Sequence, residues 1–214
     1  MVDVIFGVTA VVAIFAIVDP FTALPFFMFA TEDMPAEQKR NVVTKACIVA
    51  LVTLGVFALF GQLIFAAFGF TIAAFKIAGG ILLFAIAFEM LHGERPRTKL
   101  TDKEHEEGAE QESVGIVPLG IPLLAGPGAI TTVMIFMARP VADPFDKMFV
   151  FVGILISALA AYYTLNFADR ISERIGRTGT LAIGRIMGLL LAAIAVQFVI
   201  DGVVKAAVDY GVLP

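Results

Sequence analysis

The sequence has no tryptophan, one cysteine, two histidines and little charge, with Asp, Glu, Lys and Arg making up 16 % of 214 residues. A single cysteine, Cys47, excludes a disulfide within the chain and a cysteine metal cluster. It lies in an apolar run and reads as a small hydrophobe on a helix. Of the histidines, His92 follows a hydrophobic segment and His105 lies among acids, in KEHEE. They lack the two-His helical spacing (i, i+4) of a metalloprotease, so His105 reads as part of a solvated loop and no metal site is expected. No glycine-rich phosphate loop is present, which argues against direct ATP drive. Only one carboxylate lies deep in a hydrophobic segment, which argues against a paired-aspartate intramembrane protease. No basic patch interleaved with aromatics appears, so nucleic acid is not an expected partner. The chain reads as a non-enzyme without a cofactor.

What is present is apolar. Hydrophobic residues make up 59 % of the chain, against roughly 45–50 % in soluble domains, and the mean hydropathy is +0.94. A water-soluble core does not need that much apolar surface, but helices whose outside solvent is lipid do. The 20 Phe and three Tyr must stand in for a tryptophan belt at the interfaces. The expected fold is an all-α membrane protein forming one membrane domain over 1–214.

Six hydrophobic segments are legible, at about 4–30, 46–68, 71–91, 114–138, 148–168 and 178–201. Each is near or above the roughly 20 residues a helix needs to cross about 30 Å of hydrocarbon. The N-terminus, MVDVIFGVTA, lacks the positive region of a cleaved signal, so the first segment is read as a retained span. Residues 31–45 read as the capped start of a short amphipathic helix. Residues 93–113 form a long charged loop, and 139–147 and 169–177 are the other polar connections. Basic residues are asymmetric: ten (Lys39, Arg40, Lys45, Arg95, Arg97, Lys99, Lys103, Arg170, Arg174, Arg177) follow spans one, three and five. Three (Arg139, Lys147, Lys205) lie on the side of the N-terminus. The positive-inside rule makes the richer side cytoplasmic and both termini extracytoplasmic.

The two halves align at an offset of about 107–109 residues. DPFTALP at 19–25 falls on GPGAITT at 126–132, Lys39 on Lys147, KIAG at 76–79 on RIMG at 185–188, and His92-Gly93 on Asp201-Gly202. Three spans per copy is odd, so the second copy enters from the opposite side. The expected architecture is two inverted three-helix repeats, 1–92 and 114–214, joined by a cytoplasmic loop at 93–113. This is a recurring plan of secondary transporters.

Spans one and four carry helix breakers in matching places. Pro20 and Pro25 interrupt the first; Gly126, Pro127 and Gly128 interrupt the fourth, with Pro118 and Pro122 before them. Such breaks read either as ordinary kinks or as the walls of a substrate site, and their matched positions favour the site. The N-terminus of a half-helix attracts a carboxylate and free carbonyls attract an amine or cation, so the pair suits a zwitterion. Asp19 is costly in hydrocarbon. It is read as a ligand for substrate or a coupling ion, and also as the N-cap of the half-helix opened by Pro20. Thr22, Thr131 and Thr132 follow the breaks and offer hydroxyls either to a ligand or back to their own helix. Gly79 and Gly80 read as a close-packing face, and Gln197 as a hydrogen-bonding partner for another helix.

The runs DPFTALPFF at 19–27, KIAGGILLF at 76–84 and VPLGIPLLAGPGAITT at 117–132 resemble the MarC family of prokaryotic inner-membrane proteins. RIMGLLL at 185–191 and QFVIDG at 197–202 fit its closing segment. The resemblance covers nearly the whole chain except the acidic run at 102–112. It implies a group named for an association with multiple antibiotic resistance, one branch of which transports small neutral amino acids such as glycine and alanine. On that reading the substrate site comprises Asp19, Pro20, Thr22, Gly126, Pro127, Gly128, Thr131 and Thr132. Membrane lipid surrounds it, while the coupling ion (proton or sodium), the transport direction and any oligomer stay open. The alternatives are an exporter of other small metabolites or drugs and a non-transporting membrane assembly subunit.

Overall fold

The structure is a computed structural model that describes residues 3–92, 115–139 and 144–212. Among these the chain is almost wholly helical and has no strand. The charged loop expected at 93–113 lies outside the described residues, as do 140–143 in the connection before the fifth span.

Helix α1, Val4–Val18, starts on Asp3, whose Oδ1 accepts the Phe6 N–H at 2.9 Å. It stops at Asp19, and α2, Pro20–Ala30, restarts at once. Proline suits the first helical position, where no N–H is needed. Pro25, expected as a second breaker, instead lies inside α2, which runs through it. Its ring fixes a helical φ, and the helix forgoes only the one N–H that proline lacks. The two helices together make a 27-residue apolar span.

Helix α3, Ala36–Phe68, is one helix of 33 residues. The short amphipathic helix expected over 31–45 is not separate. Thr31 ends α2, and the polar turns after Pro35 run directly into the second span. At 1.5 Å per residue α3 is about 50 Å long, so its charged start projects beyond the hydrocarbon. A left-handed Gly69 (φ 70°) ends it. Helix α4, Ile72–His92, returns across the membrane.

The fourth span is irregular. Gly115–Leu124 has extended backbone at Val117 and Ile121, each preceding a cis proline bond. After Ala125 and Gly126 the chain enters α5, Pro127–Ala138, and the two pieces meet at 48°. A short turn, Pro144–Lys147, leads to α6, Met148–Asn166. Helix α7, Ala168–Asp209, contains a non-helical Gly176 (φ 70°), so a short helix precedes the sixth span where a loop was expected. That span then continues past residue 201. Gln197, expected to bond a neighbouring helix, donates along its own helix to Asp201 Oδ1 at 2.6 Å. Among the described residues five helices are long and apolar enough to cross a membrane, and six if the bent pair is one span.

The long α4–α7 contact is built on glycine. A Cβ added at Gly80 would lie 2.7 Å from the Ala195 carbonyl, and one at Gly188 3.1 Å from the Ala87 carbonyl. Small residues let two membrane helices approach to backbone contact, where van der Waals packing rather than hydrophobicity holds them. Helix α1 packs on α6 and α5; α3 packs on 115–124, α5 and α6; α2 packs on α7 and α6. Phe26, Phe27, Phe29, Ile14 and Leu54 fill the interior, while Ile5, Val8, Leu63 and Ile81 point outward.

Candidate functional site

The breaks in spans one and four face one another across a cavity of about 210 Å³. That is below the roughly 300–1,000 Å³ typical of drug-sized ligand pockets and suits a small solute.

The first wall is the α1–α2 junction, with Ala16, Ile17, Val18, Asp19, Thr22 and Ala23. Asp19 has left-handed backbone (φ 38°, ψ 75°), the one non-glycine residue with positive φ among those described. Asp is among the few side chains that tolerate this region. Its N–H still bonds the Phe15 carbonyl at 3.1 Å, closing α1. Its carboxylate turns forward to α2: Oδ1 accepts the Thr22 N–H at 3.4 Å, and Oδ2 accepts the Thr22 hydroxyl. Asp19 is therefore both the last link of one helix and the cap of the next. Pro20 has no N–H to return to the Ala16 carbonyl, and the left-handed turn takes the chain out of register for the carbonyls that follow. The negative end of α1 and a half-buried carboxylate thus border the same space.

The opposite wall is the α5 entry, with Pro122, Leu123, Gly126, Gly128 and Ala129. Gly126 precedes α5 in extended conformation and offers no side-chain cap. Ile130 N–H bonds the Gly126 carbonyl at 3.0 Å. Pro127 has no N–H, so the positive end of α5 is presented by the amides of Gly128 and Ala129. Glycine is required at 126 because a Cβ would sit 2.5 Å from the Pro122 carbonyl. The Cβ of a residue at 128 would lie 3.3 Å from both Ile17 and Phe198.

Asp19, Thr22, Gly126 and Gly128 thus share one cavity. Pro20, Pro127, Thr131 and Thr132 are not among its lining residues. Pro20 and Pro127 instead open α2 and α5, and Pro127 packs where a Cβ on Gly79 would be 2.0 Å from its ring. Thr131 is buried, and its hydroxyl donates back to the Pro127 and Gly128 carbonyls at 2.8 and 3.0 Å. Leu83 of α4 and Leu191, Ile194 and Phe198 of α7 complete the lining. Sequence reading missed these four, since an apolar residue on an apolar helix carries no mark of which way it faces.

The family described as MarC family integral membrane protein matches residues 4–207. A UPF0056 membrane protein of Methanocaldococcus jannaschii is 43 % identical over 201 residues, covering 94 % of this chain and 97 % of that protein. The UPF0056 membrane protein YhcE of Escherichia coli is 34 % identical over 194 residues, covering 90 % and 89 %. YvbG of Bacillus subtilis is 33 % identical over 195 residues, covering 91 % and 92 %. No solved structure matches the chain. With relatives in archaea and bacteria that align from end to end, and a family match over nearly all its length, the chain belongs to the MarC family of multi-pass integral membrane proteins.

Proposed function

We propose that this protein is a secondary transporter of small neutral amino acids such as glycine and alanine. The observation that carries the reading is the pairing of opposite helix ends across one small cavity. The α1 carbonyl end and Asp19 suit an ammonium group; the uncapped amides of Gly128 and Ala129 suit a carboxylate. Ala16, Ala23, Gly126, Gly128 and Ala129 leave room, while Phe198 and Leu83 limit side-chain bulk. Asp19, the one acid of the lining, is the candidate carrier of a coupling proton or sodium ion.

Alternating access would come from two inverted repeats in a prokaryotic inner membrane, with both termini outside. Helix neighbours support this arrangement. Span one packs on span five as span two packs on span four, and spans three and six pack on each other, so exchanging the halves returns the same pairs. Both breaks fall on the residue before a helix-opening proline, Asp19 and Gly126, at an offset of 107.

The test is reconstitution. Purified protein in liposomes should accumulate or exchange labelled glycine or alanine. Absence of both under proton gradients, sodium gradients and internal preloading would overturn the proposal. A thermal-shift panel of the twenty amino acids and of drugs distinguishes it from an exporter of other solutes, and a membrane assembly subunit would respond to none of them.

A further inference from the structure

A second cavity, of about 190 Å³, lies apart from the site above. Helix α3 contributes Phe57, Leu59 and Gln62, α5 contributes Met134 and Met137, and Lys147 closes it from the turn before α6. Because α5 ends at Ala138 and α6 begins at Met148, the cavity sits toward one membrane surface, not at mid-depth. Its outer edge is apolar. Leu59 is 60 % exposed, Leu63 one turn on is 67 % exposed, and Met148 beside Lys147 is 61 % exposed. Outward leucines on a spanning helix meet acyl chains, so the cavity opens sideways into lipid.

Lys147 is half-buried, and no carboxylate among the described residues pairs with it. The acid next to it, Asp146, is fully buried and makes no ion pair with it within 4 Å; its Oδ1 accepts the Asp3 N–H at 2.9 Å and its Oδ2 has no hydrogen-bond partner among the described residues. A half-buried ammonium without an anion is unfavourable. At interfacial depth the membrane itself holds anions in its lipid phosphates, and a basic pocket between spans can pair with one; on the orientation read from the basic residues this is the extracytoplasmic leaflet. We infer that this cavity binds one acidic membrane lipid, with its phosphate on Lys147 and the Gln62 amide and an acyl chain along Leu59 and Leu63. Such a lipid would bridge α3 of the first half to α5 and α6 of the second.

Native mass spectrometry of the full chain, titrated with phosphatidylglycerol or phosphatidylcholine, tests this. One phosphatidylglycerol should bind about fivefold more tightly than phosphatidylcholine, the worth of roughly one lysine at an anionic surface. Lys147→Gln should abolish the preference and Lys147→Arg should keep it. Equal binding of both lipids by the unaltered protein overturns the assignment, as does an unchanged preference in Lys147→Gln. Displacement by millimolar inorganic phosphate would mean a water-side anion site and would overturn the lipid reading too. If Lys147→Gln does not fold, a photoactivatable phosphatidylglycerol decides: crosslinks should fall at 57–63, 134–138 and 147–148, and crosslinks confined to other described segments reject the site.

Discussion

Asp19 closes α1 through its N–H and opens α2 through its carboxylate, on a left-handed backbone few residues accept. Its charge and its geometry can be separated by substitution. Asp19→Asn keeps an acceptor for the Thr22 N–H and a side chain that tolerates positive φ, but removes the charge. If that charge couples transport to an ion, gradient-driven uptake in liposomes should fall about tenfold or more, a barrier change of about 1.4 kcal/mol, while substrate exchange persists. Equal loss of both would make Asp19 a cap or direct substrate ligand, and unchanged transport would remove it from both roles. Asp19→Ala also loses the cap, worth about 1 kcal/mol, and should melt earlier than Asp19→Asn. Gly128 tests the opposite wall. A methyl there meets only the side chains of Ile17 and Phe198, at 3.3 Å, which can yield by a few tenths of an ångström. Gly128→Ala should therefore fold but narrow the cavity, raising KM for alanine more than for glycine in paired uptake assays.

At the scale of helices, the α4–α7 seam and the end of α1 carry stability. Gly80 faces the Ala195 carbonyl at 2.7 Å from where a Cβ would be, and backbone cannot swing aside as a side chain can. Gly80→Ala should separate the two helices and cost about 1–3 kcal/mol, read as a lower melting temperature in detergent. Gly55→Ala on α3 has nothing within 4 Å and should melt no lower than the parent. Asp146 ties the turn before α6 to the start of α1. It is fully buried, Oδ1 accepts the Asp3 N–H, and Oδ2 is buried without a hydrogen-bond partner. Asp146→Ala would remove that acceptor at a cost of about 0.5–1.5 kcal/mol. Asp146→Asn retains an acceptor, so it should melt above Asp146→Ala. The reverse order would show that charge, not the hydrogen bond, is what matters there.

For the whole molecule, alternating access needs a defined orientation and two halves that can exchange roles. Single cysteines on a Cys47→Ser background read the orientation with a membrane-impermeant thiol reagent. Tyr210→Cys should label on intact cells, and Glu37→Cys only after the membrane is opened. Labelling in the opposite pattern would invert the topology read from the basic residues. The signals on which both rest are in the chain itself. Six apolar stretches, the 10-to-3 basic asymmetry and the recurrence of Asp19-Pro20 at Gly126-Pro127 are local features, visible without contacts. Element ends were less so. Pro25 reads as a breaker but is carried within α2, and 31–45 reads as a short helix of its own but from Ala36 on forms the first turns of α3, since nothing after Pro35 interrupts the ladder.

Lipid as solvent is what makes composition decisive: a chain of 59 % hydrophobic residues in stretches of spanning length must bury its backbone polar groups in helices. An almost wholly helical chain with five or six helices of spanning length therefore followed from the sequence by itself. The cavity did not. Facing is invisible in a helix apolar all round, so that Leu83, Leu191, Ile194 and Phe198 line the cavity was settled only by the packing of α4 and α7 through their glycines. The same packing separated Thr22, at the cavity, from Thr131, which is turned back onto its own helix. Which carbonyl end meets which amide end across 210 Å³ is a relation between residues more than a hundred positions apart, and only the tertiary structure could decide it.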